Sequence, residues 1–423
     1  MHSIEIKRLG PIRDISMQIK DATIITGAQA AGKSTIARAV YFCRSIKDDL
    51  YKQITYRPGT DEYIEDNLTG LEKRLRKKFL NIFGSTWSMD RGMSITYAYS
   101  TDTKLYVSLE ENRTVPYRNV VRFSVSGKID DLLKKYDQGE FVWDSEEARR
   151  SLRCEIDAAV QDEHETLFIP AGRSLITVLT DHLAALIDSE ARNIDYCMQS
   201  YIKLTMNLRG VFKNGTRGLL EEKNSTSQYI IDKKRLKLLD ELMVRVLKGR
   251  YSYKDGEEIL NISNRGRTGK YVKINFASSG QQDAVWIFNL LYYYILEKKS
   301  IFLILEEPES HLFPDAQKDM AEALGLFANK NNQLMVTTHS PYILGAFNNL
   351  LYANKLEVCT AEDWPIAEEK WIDVENAGAY FVEKGKMEDA LCEGLIKNEL
   401  IDGASDCIND EMDKMMDLVY MDY

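Results

Sequence analysis

Cysteine and histidine are scarce in this sequence, and neither occurs at a spacing that is typical of metal sites. The chain has 6 cysteines and 5 histidines among 423 residues, with no CxxC, HxxxH or HExxH pair. Structural zinc sites and disulfide frameworks depend on such pairs or on regularly placed cysteines. We therefore expect reduced thiols and no structural metal.

Long apolar runs are also missing. A membrane-spanning helix needs about 18 or more consecutive apolar residues, and no window of the sequence approaches that length. The opening residues MHSIEIKRLG alternate apolar and polar side chains like a β-strand. They lack the basic and then apolar layout of a secretion signal. These features predict a cytoplasmic protein without a membrane partner.

Acidic residues outnumber basic ones by 65 to 55, which gives a formal net charge of -10. A chain that coats nucleic acid with its whole surface is usually basic. The charge is nevertheless uneven: residues 203–273 carry 17 Lys and Arg against 8 Asp and Glu, and residues 351–423 carry 6 against 19. The basic segment is either a solvated helical face or a docking surface for DNA, RNA or an acidic partner. The acidic segment serves either solubility or protection against nucleic acid.

The first motif is a glycine-rich loop between a predicted strand and a predicted helix. The apolar run ATIIT ends at residue 26, and GAQAAGKST follows at residues 27–35. This matches the P-loop pattern G-x-x-x-x-G-K-[ST], in which N–H groups at a helix N-terminus surround phosphates and the hydroxyl contributes to a Mg²⁺ site. The predicted nucleotide contacts are Gly27, Ala28, Ala30, Ala31, Gly32, Lys33, Ser34 and Thr35, and Ser34 is also a predicted magnesium ligand.

Two carboxylates end a second buried strand. FLILEE places Glu306 and Glu307 after an apolar run, where their mutual repulsion is unfavourable unless a cation lies nearby. We predict that Glu306 holds Mg²⁺ and that Glu307 orients or deprotonates the attacking water. His339 ends another apolar strand, in TTHSP. It is a candidate catalytic sensor of the γ-phosphate; the alternative is an ordinary polar residue at a strand end.

Alternating strand and helix patterns predict an α/β fold. The segments MSITYAYS, KLYVSLE and RNVVRFSV alternate in the manner of an antiparallel sheet, which predicts a β-rich lobe. Helical apolar spacing dominates from residue 171 to about residue 250. The acidic segment after residue 350 is predicted to be rich in helix.

The order of the motifs resembles that of the ATP-binding-cassette (ABC) ATPases. ASSGQ at residues 277–281 is similar to their LSGGQ signature, with departures at Ala277 and Ser279. EEPESHLFP resembles the Walker B and D-loop region, and THSP the switch-histidine region. The resemblance implies that the nucleotide is contacted by Ser278, Ser279, Gly280 and Gln281. The middle strand ends in FIPAGR without the family's glutamine, so Arg173 is the candidate contact there.

The full motif set looks most like ABC ATPases of the overcoming-lysogenization-defect (OLD) type, in the group of AAA15 and AAA21 ATPases. Similar ATPases serve the phage-defence systems Gabija, Septu and PARIS and some retrons. The resemblance implies a P-loop NTPase fold of the ABC type with a β-rich lobe and a helical insertion. The expected domains are an N-terminal ABC lobe with the P-loop and the antiparallel β subdomain (1–170), a helical insertion (171–250), a C-terminal ABC lobe with the signature, Walker B motif and switch histidine (251–350), and an acidic C-terminal segment (351–423).

In the ABC family, the signature loop of one lobe caps the γ-phosphate that the P-loop of another lobe binds. This chain has one set of motifs, so the resemblance implies an ATP-dependent homodimer or larger oligomer that hydrolyses ATP with Mg²⁺. It further implies a sensor, regulator or scaffold for a partner effector, such as a nuclease or toxin, in bacterial anti-phage defence. The alternative is a DNA-binding repair or chromosome-maintenance ATPase that uses residues 203–273. A nuclease activity of the chain itself is not expected, because residues 345–423 are too short for the TOPRIM domain of OLD nucleases.

Overall fold

The strands and helices follow the apolar patterning of the sequence. The computed structural model describes residues 2–56, 66–111, 119–138, 141–178, 194–226, 230–262, 270–328, 331–356 and 365–421. The strands are β1 (Ser3–Leu9), β2 (Ile12–Gln18), β3 (Ala22–Gly27), β4 (Ser94–Ala98), β5 (Lys104–Glu111), β6 (Asn119–Val125), β7 (Glu165–Ile169), β8 (Arg250–Lys254), β9 (Glu257–Asn261), β10 (Tyr271–Lys273), β11 (Ile301–Glu306), β12 (Gln333–Thr337), β13 (Ala377–Glu383), β14 (Lys386–Asp389), β15 (Leu391–Cys392) and β16 (Leu395–Ile396). The α-helices are α1 (Lys33–Arg44), α2 (Ile46–Ile54), α3 (Asn67–Phe83), α4 (Lys128–Asp137), α5 (Glu146–Val160), α6 (Ser174–Val178), α7 (Tyr196–Arg209), α8 (Gly215–Thr226), α9 (Lys233–Leu247), α10 (Ser279–Glu297), α11 (Pro314–Phe327), α12 (Pro341–Leu356) and α13 (Glu399–Met421).

A mostly parallel sheet forms the centre of the molecule. Its described strands lie in the order β14-β13-β3-β12-β11-β7, and all neighbours are parallel except β13 and β14. β3 and β11 are buried along their whole length, as expected for strands covered on both faces. Because parallel strands end at the same edge, the carboxyl ends of β3, β7, β11 and β12 lie side by side. This edge holds the predicted catalytic motifs.

A second, antiparallel sheet forms the predicted β-rich lobe, with described strands in the order β2-β1-β4-β5-β6. α1 packs between this lobe and the central sheet. Its Phe42 ring lies 5.6 Å from the Phe79 ring of α3 and 6.0 Å from the Phe123 ring of β6, measured between centroids. The α/β class and the β-rich lobe are therefore confirmed.

The predicted helical insertion is also present, as α7, α8 and α9 beside the small sheet β10-β9-β8. A buried polar cluster joins it to α10. Glu258 accepts hydrogen bonds from the Tyr251 hydroxyl (2.7 Å) and the Trp286 indole (2.8 Å), and its other carboxylate oxygen lies 2.8 Å from Arg209 Nη2. α10 is buried nearly all round, so it forms the hydrophobic core between the insertion and the central sheet.

The acidic C-terminal segment contains strands that the sequence analysis missed. β13 pairs in parallel with β3, with Val382 opposite Gly27 of the P-loop, and β14 completes that side of the sheet. The turn between them receives hydrogen bonds at the Gly385 carbonyl from the Arg13 and Asp14 amides. The expectation of a helix-rich segment was therefore incomplete, and the four domain limits stay a prediction. Within the described ranges, we find no helix with the length and apolarity that a membrane crossing requires.

Candidate nucleotide-binding and catalytic site

The P-loop motif lies between β3 and α1. The chain enters α1 through Gly32, whose φ of 110° favours glycine, and a Cβ there would collide with Ile12, the first residue of β2. In the described part of the chain, no side chain caps the first turn of α1 and no acidic residue lies in it. The amide groups at this helix N-terminus therefore suit an anion. Ala28 and Ala30 are exposed at the loop, and Ala31, Ser34 and Thr35 are half-buried.

Lys33 lies across the P-loop. Its Nζ donates hydrogen bonds to the carbonyls of Gly27 (2.7 Å) and Ala28 (2.8 Å), and the side chain is 6% exposed. Burial lowers the pKa of Lys33, whereas the charges of Glu307 and Glu309 raise it. The ammonium is therefore desolvated and bound to backbone carbonyls of the loop that would surround phosphates.

Glu306 ends β11 and is 1% exposed. Its Oε2 accepts a hydrogen bond from the Ala171 amide at 3.2 Å, but its buried Oε1 has no conventional hydrogen-bond partner in the described residues. Burial raises the pKa of Glu306, and Arg38, the Ala171 amide and the Ser34 hydroxyl act in the opposite direction. An orphaned carboxylate oxygen near the Ser34 hydroxyl fits the hard oxygen ligands of Mg²⁺.

This donor set is sparse. The described residues contain no group of three or more His, Cys, Asp or Glu side chains that could hold a metal ion. Mg²⁺ in nucleotide sites usually needs only one or two protein oxygens, since water and phosphate oxygens fill its remaining positions. Ser34 and Glu306 therefore fit magnesium that arrives with a nucleotide, and they do not form a site for a resident ion.

Glu307 and His339 face each other across β11 and β12. Glu307 has a φ of 43°, a strained value for a residue with a side chain, and its amide donates to the Thr337 carbonyl at 2.9 Å. Glu307 Oε1 lies 3.8 Å from His339 Nδ1, and His339 is about half exposed. The two predicted catalytic side chains are thus adjacent and open to solvent.

Glu309 belongs to the same cluster, although the sequence analysis assigned it no role. The residue is 6% exposed, and its Oε1 accepts hydrogen bonds from the Thr338 hydroxyl (2.8 Å) and the His339 amide (2.9 Å). The same oxygen lies 3.6 Å from His339 Nδ1. A third acid in EEPES, directly after a strand end, was the signal that could have identified it. Glu309 fixes the segment that carries His339.

Arg173 follows the carboxyl end of β7 and is 2% exposed. Its guanidinium donates to the carbonyls of Pro170 (3.2 Å), Asp283 (3.0 Å), Glu306 (2.8 Å) and Glu307 (2.9 Å). The described hydrogen bonds of Arg173 are thus to backbone groups behind the catalytic carboxylates. Its expected contact with the nucleotide stays a prediction.

The signature residues begin α10. Ser278 is the N-cap residue, and it forms a capping box with Gln281, in which each side chain accepts from the other residue's amide. The side-chain Nε2 of Gln281 also donates a hydrogen bond to the Leu247 carbonyl at 2.6 Å. Gly280 lies against the segment after Glu309, where a Cβ would come within 2.5 Å of the His311 carbonyl oxygen. Ser278 and Ser279 are exposed.

Comparison with known proteins decides the family. Residues 1–344 match the family model described as AAA ATPase domain (AAA_15). The chain belongs to the AAA ATPase domain family. This membership makes the chain an ATPase domain and implies nucleotide binding. No curated protein matches the sequence significantly.

Solved structures similar to this AAA ATPase domain include heads of SMC proteins. One is an SMC head bound to the C-terminal winged-helix domain of ScpA (TM-score 0.42, 11% identity, 92% of this chain and 97% of that chain). Another is the SMC head domain of Thermotoga maritima (0.35, 12%, 92% and 98%), and a third is the Pyrococcus furiosus Smc head with an extended coiled coil bound to the C-terminal domain of ScpA (0.38, 10%, 92% and 96%). These scores are too low for the likeness to carry an argument about function.

The AAA ATPase domain brings the P-loop, the Walker B carboxylates and His339 to one sheet edge, whereas the signature residues begin α10. The charges of Glu307 and Glu309 act to raise the pKa of Lys33, and the Ser34 hydroxyl acts to lower the pKa of Glu306. Glu307 Oε1 lies 3.8 Å from His339 Nδ1. None of the described hydrogen bonds joins residues 278–281 to residues 27–35. One chain therefore presents two distinct parts of the candidate site.

In the basic segment of the ATPase domain, residues 203–273, the described ion pairs take up 7 of the 17 Lys and Arg. Arg235 is buried and donates to the carbonyls of Leu326 and Phe327 at the end of α11. The described ion pairs of the segment are Arg209–Glu258, Lys223–Glu297, Lys234–Glu369, Lys237–Glu241, Arg245–Asp319, Arg245–Glu322, Arg250–Asp240 and Lys273–Glu257. Of these cations, Lys223, Lys234 and Arg245 pair with acids outside the segment. The charge available to a nucleic acid is therefore smaller than the residue count indicates.

Proposed function

We propose that this chain is an ABC-type ATPase that binds ATP with Mg²⁺ at head-to-tail interfaces between two of its own copies. The observation that carries the proposal is the position of Ser278 and Ser279. They are exposed at the N-terminus of α10, where backbone N–H groups and a hydroxyl suit a phosphate. Since their hydrogen bonds do not reach the P-loop of the same chain, a second copy is the natural source of the phosphate that they cap.

Exposed aromatic side chains around the motifs support an interface between copies. Phe276 precedes the signature and is 77% exposed, Phe313 follows the Walker B segment and is 74% exposed, and Tyr342 follows His339 and is 55% exposed. Large aromatic residues are enriched in protein interfaces and are costly to leave in water. Their position beside three motifs supports an interface at the nucleotide edge of the sheet.

Each catalytic residue has a role that its position supports. Lys33 would exchange its carbonyl contacts for phosphate oxygens, and Ser34 and Glu306 would hold Mg²⁺, which neutralises developing phosphate charge. Glu307 would orient and deprotonate the attacking water. His339, whose Nδ1 lies 3.8 Å from Glu307 Oε1, would contact the γ-phosphate. Loss of the γ-phosphate would loosen the interface because the capping contacts disappear.

The mass of the Glu307→Gln variant tests this proposal. The substitution keeps the size of the side chain but removes the base, so ATP should stay bound and the protein should elute at twice the 48.6 kDa of one chain. The matched control adds Ser278→Arg, which should bind ATP and remain at 48.6 kDa. If light scattering gives one mass for Glu307→Gln with and without saturating Mg·ATP, the head-to-tail interface is wrong.

We further propose that the ATPase is a sensor, regulator or scaffold for an effector such as a nuclease or toxin in bacterial anti-phage defence. Support comes from the OLD-type motif set GAQAAGKST, FIPAGRS, ASSGQQ, EEPESHL and TTHSP. Co-purification of the chain with the product of its neighbouring gene, followed by a phage plaque assay with Lys33→Ala, tests this role. Equal plaque numbers for the wild type, the variant and cells without the system would contradict it.

The DNA-maintenance alternative makes a separate prediction. Lys213 and Arg217 are exposed in the basic segment, whereas Arg235 is buried and unsuitable for a charge-reversal test. If the segment binds DNA, Lys213→Glu with Arg217→Glu should weaken binding, and affinity should fall steeply with salt. No binding by the wild type at low salt would remove this alternative.

A further inference from the structure

Arg173 connects three motifs of the candidate site through their backbones. An arginine has five N–H donors in a rigid plane, and the structure shows four hydrogen bonds from this one. The acceptors are Pro170 at the end of β7, Glu306 and Glu307 of the Walker B segment, and Asp283 in the signature helix α10. The side chain is 2% exposed, so these bonds are shielded from water.

We propose that Arg173 is a positioning residue that ties the signature helix to the catalytic carboxylates of the same chain. The proposal rests on the proposed function, because the two motifs would serve different nucleotides in the head-to-tail pair. A rigid link between them would pass a change at one nucleotide to the other. Arg173 would act through the backbone of Glu306 and Glu307 and would not touch the nucleotide.

The backbone of Glu307 needs such a restraint. Its φ of 43° costs energy for a residue with a Cβ, and strained conformations persist only where several contacts enforce them. The Glu307 amide is held by the Thr337 carbonyl, and its carbonyl by Arg173 Nη2 at 2.9 Å and by Ser310. Without the guanidinium, one of these restraints is lost, and the carboxylate can turn away from His339.

The signature helix has a second link to the Walker B segment, which also involves Asp283. The Asp283 carboxylate lies 2.6 Å from His311 Nδ1, and Gly280 packs directly on the His311 carbonyl. His311 therefore links α10 to the segment after Glu309, whereas Arg173 links α10 to Glu306 and Glu307. Together the two links make the signature helix and the Walker B segment one body.

Arg173→Lys tests the proposal. One ammonium group cannot span the carbonyls of Asp283 and Glu307 as a guanidinium plane does. We expect the dissociation constant of a fluorescent ATP analogue to stay within about threefold of wild type, while kcat for ATP hydrolysis falls about ten- to a hundredfold. Hydrogen–deuterium exchange should rise in both peptides that contain residues 279–285 and 304–310.

Arg235→Lys is the matched control. Arg235 is also a buried arginine whose bonds go to backbone carbonyls, but these belong to Leu326 and Phe327 at the end of α11. Its loss should increase exchange near residue 327 and leave kcat per folded molecule close to wild type. Comparing the two variants separates a general loss of stability from a specific loss of positioning.

Three results would overturn the proposal. A rise in the ATP dissociation constant that matches the fall in kcat/KM would mean that Arg173 contacts the nucleotide. Equal effects of Arg173→Lys and Arg235→Lys on kcat would mean that its role is only structural. If wild type itself neither hydrolyses ATP nor pairs, the proposed function fails. The Arg173 link is tested independently of activity: unchanged exchange in residues 279–285 and 304–310 of Arg173→Lys would reject it.

Discussion

Glu306→Gln should stabilise the protein without nucleotide and abolish its stabilisation by Mg·ATP. Glu306 is 1% exposed, burial raises its pKa, and its Oε1 has no hydrogen-bond partner in the described residues. An unsatisfied buried polar group costs about 1–3 kcal/mol, and more if it is charged. Glutamine removes the charge with almost no change in volume, so we expect the free energy of unfolding to rise by about 1 kcal/mol.

With Mg·ATP bound, wild type should become more stable than Glu306→Gln. Ligand at about 100 times its dissociation constant stabilises the folded state by about 2.7 kcal/mol, and the part that depends on Mg²⁺ needs the Glu306 carboxylate. Urea unfolding with no ligand, with ATP and EDTA, and with Mg·ATP measures each contribution. The magnesium-dependent increment should disappear in Glu306→Gln.

Glu258→Gln is the matched control, because Glu258 is also buried, but its Oε1 accepts two hydrogen bonds and its Oε2 forms an ion pair with Arg209. Removing its charge leaves Arg209 buried without its partner, so we expect a loss of about 3–5 kcal/mol. If Glu306→Gln is also destabilising without nucleotide, or if it keeps the full Mg·ATP increment, the assignment of Glu306 as a magnesium ligand is wrong.

Three further substitutions test other parts of the structure. Gly280→Ala brings a Cβ to 2.5 Å from the His311 carbonyl, so stability should fall by about 1–3 kcal/mol; a neutral result in urea unfolding would contradict this close packing. Glu309→Ala should lower kcat about tenfold by releasing the segment that carries His339. Glu309→Gln keeps a hydrogen-bond acceptor and should retain most activity. Similar kcat values for the two variants would refute the role of Glu309 in positioning His339. His2 is buried and its pKa is lowered to about 4, first by burial and then by Arg44. The pKa of His2 in the unfolded chain is 6.5, so the free energy of unfolding should fall by up to about 3 kcal/mol as pH falls from 6.5 towards 4. His2→Asn should flatten this dependence of stability on pH. An unchanged dependence would show that other groups cause it.

The motif positions could be predicted because each is local in sequence. The P-loop needs only a strand, a glycine-rich turn and a helix in succession, and the carboxylates of Glu306 and Glu307 stand out against a buried apolar strand. Parallel pairing then brings the ends of β3, β11 and β12 together without further information.

Contacts between distant segments could not be predicted in the same way. β13 joins the P-loop strand although 350 residues separate Gly27 from its first residue, and its sequence AGAYFVE lies in an acidic segment. Three of the four acceptors of Arg173 lie more than 100 positions away. Lys223, Lys234 and Arg245 of the basic segment pair with acids on α10, α11 and the segment after α12. Composition alone shows an excess of charge but not which partner neutralises it.

Mixing two inactive variants tests most directly whether ATP lies between two copies. Lys33→Ala disables the P-loop and Ser278→Arg disables the signature, so each variant alone should lack ATPase activity. A mixed pair of chains would retain one intact site, formed by the P-loop of the Ser278→Arg chain and the signature of the Lys33→Ala chain. Neither variant should pair with itself, so the pairs that form in an equal mixture are mixed and each has one intact site. We therefore expect phosphate release to return, at up to about half of the wild-type rate. If the mixture stays inactive although a tagged variant retains its untagged counterpart in the presence of ATP, the sites do not combine residues from two chains.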